Sequence, residues 1–150
     1  MAPNLPSPEL PIFALAHAAE PLISTDTLEV RAVPGKGRGI FARRGFAPGA
    51  LIERCPVIGM PEEHWEHLDR TVLEVYCFKW GEQLERPAVA LGYGSLYNHA
   101  FLPNAQYQRS LALQAIDFVA LRDIAAGEEI TVNYNGDPKD QTEVWFDPVR

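Results

Sequence analysis

Short apolar runs alternate with turn-forming segments along most of the chain, and that pattern sets the fold class. Leu28-Glu29-Val30-Arg31-Ala32-Val33 alternates as a half-buried strand does. Pro34 to Gly39 breaks the run, Ile40 to Arg43 resumes it, and Ala47-Pro48-Gly49 is a turn. Leu51 to Ile58 reads as a third strand. Pro61, Glu62 and Glu63 open a short helix to about Arg70, because proline suits the first helical position and acids suit its positive end. Val72 to Trp80 returns to strand-like composition, Gly81 to Pro87 is turn-like, and Ala88 to Leu91 is a short buried piece. Gln106 to Gln108, Leu111 to Gln114 and Ile116 to Leu121 read as short strands. Ala125 to Glu128 is a turn, Ile130 to Tyr134 a last strand, and Asn135 to Pro138 stops it. Many short strands with one or two short helices predict a mostly β domain.

A length of 150 residues suggests one domain, and a 47% hydrophobic content is enough to bury a core. The net charge of -7 argues against a general binder of phosphate backbones, so no direct nucleic-acid binding is expected. It suits a basic peptide partner. Cys55 and Cys77 each sit in apolar runs and read as buried free thiols, without the neighbours that a zinc site needs. Residues 1–27 carry Pro3, Pro6, Pro8, Pro11 and Pro21 and read as an extended arm, with Ile12-Phe13-Ala14-Leu15 packed on its own domain. Ile12 to Ala19 is apolar but short of the roughly 20 residues that span a bilayer, and no basic segment precedes it. An intracellular protein is expected, with no membrane partner.

Three segments carry chemistry. Gly35-Lys36-Gly37-Arg38-Gly39 lets the backbone bend sharply and approach a ligand closely. It lacks the Lys-Ser/Thr ending of a P-loop and the spacing of a dinucleotide fingerprint. Taken alone it also fits a glycine-rich hairpin. Asn98 offers paired donors and an acceptor, which suit an amino-acid headgroup or a ribose, and Pro103-Asn104 would brace that segment through a turn. His99 alone reads as a structural histidine. Tyr134, alone, reads as a core tyrosine with a wet hydroxyl. His64 and His67 lie three apart on the short helix without a third ligand, and read as solvated.

In their order and spacing, Gly35–Ala42, Asn98–Asn104 and Gly127–Tyr134 resemble the signature of the SET-domain protein lysine methyltransferases. The resemblance covers about Leu28 to Phe146, is supported by Ala90–Tyr97, and is closest to the small stand-alone members of viral and fungal type that lack zinc-binding flanks. It implies a β-clip-like fold of several short sheets over residues 28–150, with a knot-like crossing of the Asn98 segment and the Tyr134 strand, an exception to the usual unknotted chain. It implies S-adenosylmethionine as cofactor and S-adenosylhomocysteine as product. Lys36, Gly37, Arg38 and Gly39 would lie at the cofactor headgroup. Asn98 and His99 would contact its methionine and adenine parts, His99 mainly through backbone, and Trp145 would cover the adenine. Tyr134 would touch the cofactor and act as the catalytic residue, orienting amine and methyl. Tyr76, Tyr97 and Phe101 would line the substrate channel. The family often has serine and cysteine after the histidine and an acid before the tyrosine; here these are Ala100, Phe101 and Asn133. Residues 135–143 are longer than the matching turn of the smallest members. The resemblance further implies a histone-type substrate, a homodimer, and a nuclear location in a eukaryote or a cytoplasmic one in a bacterium. The alternative is a catalytically silent module that binds cofactor or peptide.

Overall fold

The computed structural model describes residues 23–144. Most of the expected N-terminal arm, with its Ile12–Leu15 patch, and Trp145 and Phe146 lie outside the described residues. In chain order the strands are β1 (Ile23–Ser24), β2 (Leu28–Val33), β3 (Gly37–Ala42), β4 (Leu51–Gly59), β5 (Cys77–Trp80), β6 (Arg86–Ala90), β7 (Asn98–His99), β8 (Ala105–Ser110), β9 (Ala115–Ala120) and β10 (Glu129–Val132). They form two five-stranded sheets, in the orders β1-β2-β3-β10-β7 and β5-β6-β4-β9-β8. The pairing is antiparallel except between β10 and β7, which run parallel. That parallel pair builds the expected crossing.

The glycine segment is not a break but the tip and second strand of a hairpin. Val33 pairs with Gly37, so the loop is only Pro34-Gly35-Lys36, and the strand begins at Gly37 rather than Ile40. Lys36 donates its N–H to the Val33 carbonyl at 3.0 Å. Gly35 and Gly37 both take left-handed φ, 75° and 77°, which glycine adopts without the clash a Cβ would bring.

Other local expectations change. Val72–Tyr76 is a 3-10 helix, not strand, because the Thr71 hydroxyl accepts the Leu73 N–H and starts a turn. Only Cys77–Trp80 is extended there. Leu111–Gln114 is the tip of the β8–β9 hairpin, where Ser110 pairs with Ala115 and Gln114 has a φ of 50°. The helix after Pro61 is shorter than expected: a 3-10 turn, Glu62–His64, then Trp65–Leu68. His64 and His67 are exposed on it. β10 stops at Val132, and Tyr134 lies in the turn beyond. Cys55 is buried as expected, whereas Cys77 is half-buried; both are free.

The core lies between the sheets. Val30, Ile40, Ile116, Phe118, Ile130 and Val132 are almost wholly buried. Each such side chain contributes about 1.5–3 kcal/mol relative to exposure. An isolated bridge, Phe46 to Ile124, joins the loops after β3 and β9. Among the described residues no helix is long and apolar enough to cross a membrane.

Candidate active site

A two-residue strand cannot hold itself by ladder bonds, so side chains hold the crossing. Asn98 lies opposite Thr131 and His99 opposite Val132. Asn104, 3% exposed, donates through Nδ2 to the Glu129 carbonyl at 2.7 Å and accepts the Thr131 N–H on Oδ1 at 2.9 Å. The brace expected at Pro103-Asn104 is therefore made by an amide that clamps β10. Tyr107 donates its hydroxyl to the Tyr134 carbonyl at 3.1 Å. His99 Nδ1 accepts the Tyr134 N–H at 3.1 Å, which leaves the ring proton on Nε2. Burial, then the Lys36 ammonium, lowers the His99 pKa, so the ring is neutral. His99 thus uses its backbone in the pairing with β10 and its ring to fix Tyr134. Its Nε2 is buried with no partner among the described residues.

Beside this pair sits the glycine hairpin. Asn98 Nδ2 donates to the Arg38 carbonyl at 3.0 Å and to Glu129 Oε1 at 2.7 Å. A Cβ on Gly39 would lie 2.7 Å from that nitrogen and 2.5 Å from that oxygen, closer than real Cβ atoms come. Glycine at 39 is what lets β3, β7 and β10 meet. The fold thereby gathers the hairpin and the Asn98-His99 pair into one corner.

A cleft of about 620 Å³ opens where Tyr134 emerges, lined by Tyr76, Phe78, Tyr107, Val132 and Tyr134 among others. The Tyr134 hydroxyl donates to the Tyr97 carbonyl at 2.8 Å. Burial first, then the Tyr76 hydroxyl and the Glu129 carboxylate, push its pKa up to about 12. The phenol therefore keeps its proton at neutral pH. Tyr76 is half-buried in the cleft wall, and its carbonyl accepts from Ser95 Oγ at 3.1 Å. Tyr97 also borders the cleft, but its ring is a core group: it is 2% exposed, stacks on Phe118 at 4.3 Å and donates to Glu53 Oε2 at 2.8 Å. What it presents to Tyr134 is a carbonyl. Phe101 does not line this cleft; its ring stands edge-on to His99 at 4.5 Å. Trp145 lies outside the described residues.

Three contributors escape a reading of local pattern. Glu129, Glu53 and Ser95 act through partners 31, 44 and 19 residues away. Only Glu129 had a signal, its place in the Gly127–Tyr134 segment. Asn133, where an acid is common, is buried; it donates to the Asp140 carbonyl at 2.6 Å and accepts the Asn135 N–H at 3.0 Å, so it shapes the longer turn that follows.

Comparison with known proteins bears on the family and the fold. The SET domain family matches residues 37–135. A Schizosaccharomyces pombe protein named histone-lysine N-methyltransferase, H3 lysine-37 specific, is 35% identical over 121 residues, covering 80% of this chain and 77% of that protein. A solved Plasmodium falciparum structure, described as a candidate histone methyltransferase, aligns with a TM-score of 0.59 at 24% identity, covering 74% of this chain and 95% of that one. At that identity the likeness speaks for the fold. With hairpin, crossing and tyrosine turn in one arrangement, the chain belongs to the SET-domain family.

Proposed function

We propose that the protein is a protein-lysine N-methyltransferase that uses S-adenosylmethionine and acts on a basic, histone-type segment. The observation that carries this reading is the placement of Tyr134. Its backbone is tied to His99 in the Asn98–Gly39 corner, while its hydroxyl lies in the cleft on a main-chain carbonyl. One residue thus links two sites that a two-substrate transfer must bring together.

The residues of the corner fit the cofactor. His99 Nε2, without a partner among the described residues, is a buried donor whose desolvation costs about 1–3 kcal/mol unless a further group takes it, as a ligand would. Lys36 and Arg38 supply positive charge for a carboxylate, Asn98 an amide, and the glycine backbone admits close approach. When bound, the sulfonium supplies an electrophilic methyl group.

The chain's own residues do the rest. A free lysine titrates near 10.4, so its amine must lose a proton before it can attack. A cleft walled by Tyr76, Phe78, Tyr107 and Val132 disfavours the ammonium form. Tyr134 does not take that proton, because its own is held. With the hydroxyl hydrogen on the Tyr97 carbonyl, the phenol oxygen is an acceptor that orients an amine N–H. Asp69, Glu74 and Asp140 line the cleft beside Lys79 and Arg109, a small acidic excess that suits a basic peptide.

The test is transfer of labelled methyl from S-adenosylmethionine to core histones, with histone H3 as the first substrate because of the Schizosaccharomyces pombe relative. Label on lysine is expected. Cofactor binding without transfer to any histone or lysate protein would instead indicate the silent module.

A further inference from the structure

The segment Gly127-Glu128-Glu129 puts two acids side by side, and the fold treats them differently. Glu128 is fully engaged: it meets Arg122 at 2.7 Å and caps the turn by accepting the Ala125 N–H at 2.8 Å. Glu129 meets no cation among the described residues. The ion pairs among the described residues run through Glu29, Asp117, Glu66, Glu85 and Glu128. Yet Glu129 is half-buried, with Oε1 held by Asn98 Nδ2 at 2.7 Å and pressed against Gly39. A carboxylate withdrawn from water without a counter-charge costs free energy, and a neutral amide offsets only part of it. The chain holds this charge between the glycine hairpin and the Tyr134 turn, and the Tyr134 phenol feels it. A cation brought to this corner would complete such a site.

Resting on the cofactor reading above, we propose that Glu129 is the counter-charge for the sulfonium of S-adenosylmethionine, and so makes this chain prefer the charged cofactor to its neutral thioether product. The other positive group of the cofactor, the α-ammonium, is present in both molecules and is the rival partner. Only the sulfonium loses its charge when the methyl leaves. A carboxylate facing it binds cofactor more tightly than product and favours product release.

The experiment is calorimetric binding of S-adenosylmethionine and S-adenosylhomocysteine to the full chain and to Glu129→Gln. Glutamine keeps the shape and the acceptor for Asn98, so only the charge is removed. Expected is a loss of about tenfold in affinity for S-adenosylmethionine, with S-adenosylhomocysteine changed less than about twofold. Equal losses for both would move the contact to the α-ammonium and overturn the proposal, as would no loss for either. A purely structural role would weaken both together. If Glu129→Gln melts below the working temperature, Glu129→Asp carries the test: with its charge kept, the preference for S-adenosylmethionine should stay within about threefold of wild type, and its disappearance would contradict the proposal. Failure of the wild type to bind S-adenosylmethionine at all would remove the cofactor reading itself, and this inference with it.

Discussion

At the crossing of β7 and β10, side chains are bonded to main chain at almost every step: Asn98 to Arg38, Asn104 to both Glu129 and Thr131, His99 to Tyr134, Tyr107 to Tyr134. Along the Val72–Phe78 wall of the same cleft the ties are few. Thr71 caps the 3-10 helix, Ser95 holds the Tyr76 carbonyl, and Val72 and Leu73 stand exposed. One region fixes atoms to within a hydrogen bond; the other shapes a cavity from packed but weakly tethered rings. The difference assigns them different work. Under the proposed function, methyl transfer needs alignment, and the tied atoms of the crossing suit that work. Choice of substrate needs a surface that can vary without unfolding the domain, and under the same proposal the wall suits that work.

Substitutions that remove the ties should separate the two regions. Asn104→Ala strips partners from a buried carbonyl and amide and should cost about 2–4 kcal/mol. Thr71→Ala, on the wall, should cost about 1 kcal/mol, the usual worth of an N-cap. Urea unfolding of both variants checks the ordering; equal losses would mean the crossing is not the stiffer region.

Gly39→Ala sharpens the contrast within the crossing. Its methyl must displace Glu129 or Asn98, so cofactor affinity should fall about tenfold while the lysine cleft is untouched. Binding of S-adenosylmethionine beside the Michaelis constant for peptide reads this out. A change confined to the peptide constant would place the glycine in the wrong half of the site.

The smallest effect is a pH effect. His99 titrates lower in the fold than its ordinary value of 6.5, so the unfolded chain binds the extra proton first. Stability is then full above about 6.5 and declines as pH falls through that value and the folded one. Asp117, Glu128 and Asp140 are also lowered, and withdraw their contributions only at more acidic pH. The urea midpoint should drop between pH 7 and pH 5.5 in wild type and drop less in His99→Gln.

What local pattern reveals and what it hides follow the same division. The hairpin glycines, Asn98, His99 and Tyr134 are legible only together, through the order and spacing that resemble the SET-domain signature; alone, each fits a structural role. Leu111–Gln114 is not, because its apolar residues look like strand until the Ser110–Ala115 pair closes the turn. Val72–Tyr76 misleads for a similar reason: β-branched and aromatic residues favour strands, and a single hydroxyl cap overrides them. Tyr97 is next to Asn98 in sequence, yet its ring belongs to Phe118 and Glu53, partners that only the folded chain brings near. Glu129 hides because nothing local distinguishes it from Glu128; the pairing of one with Arg122 is a tertiary fact.

The most direct test of this division compares two tyrosines in one assay of labelled methyl transfer to histone H3: Tyr134→Phe at the crossing and Tyr76→Phe on the wall. Removing the aligned hydroxyl of Tyr134 should lower the turnover rate by about a hundredfold or more with cofactor affinity kept within a few fold. Tyr76→Phe should change turnover by less than about tenfold, with its effect on the peptide constant or on the number of methyls added. Equal and small losses in both variants would contradict the assignment of the chemistry to Tyr134.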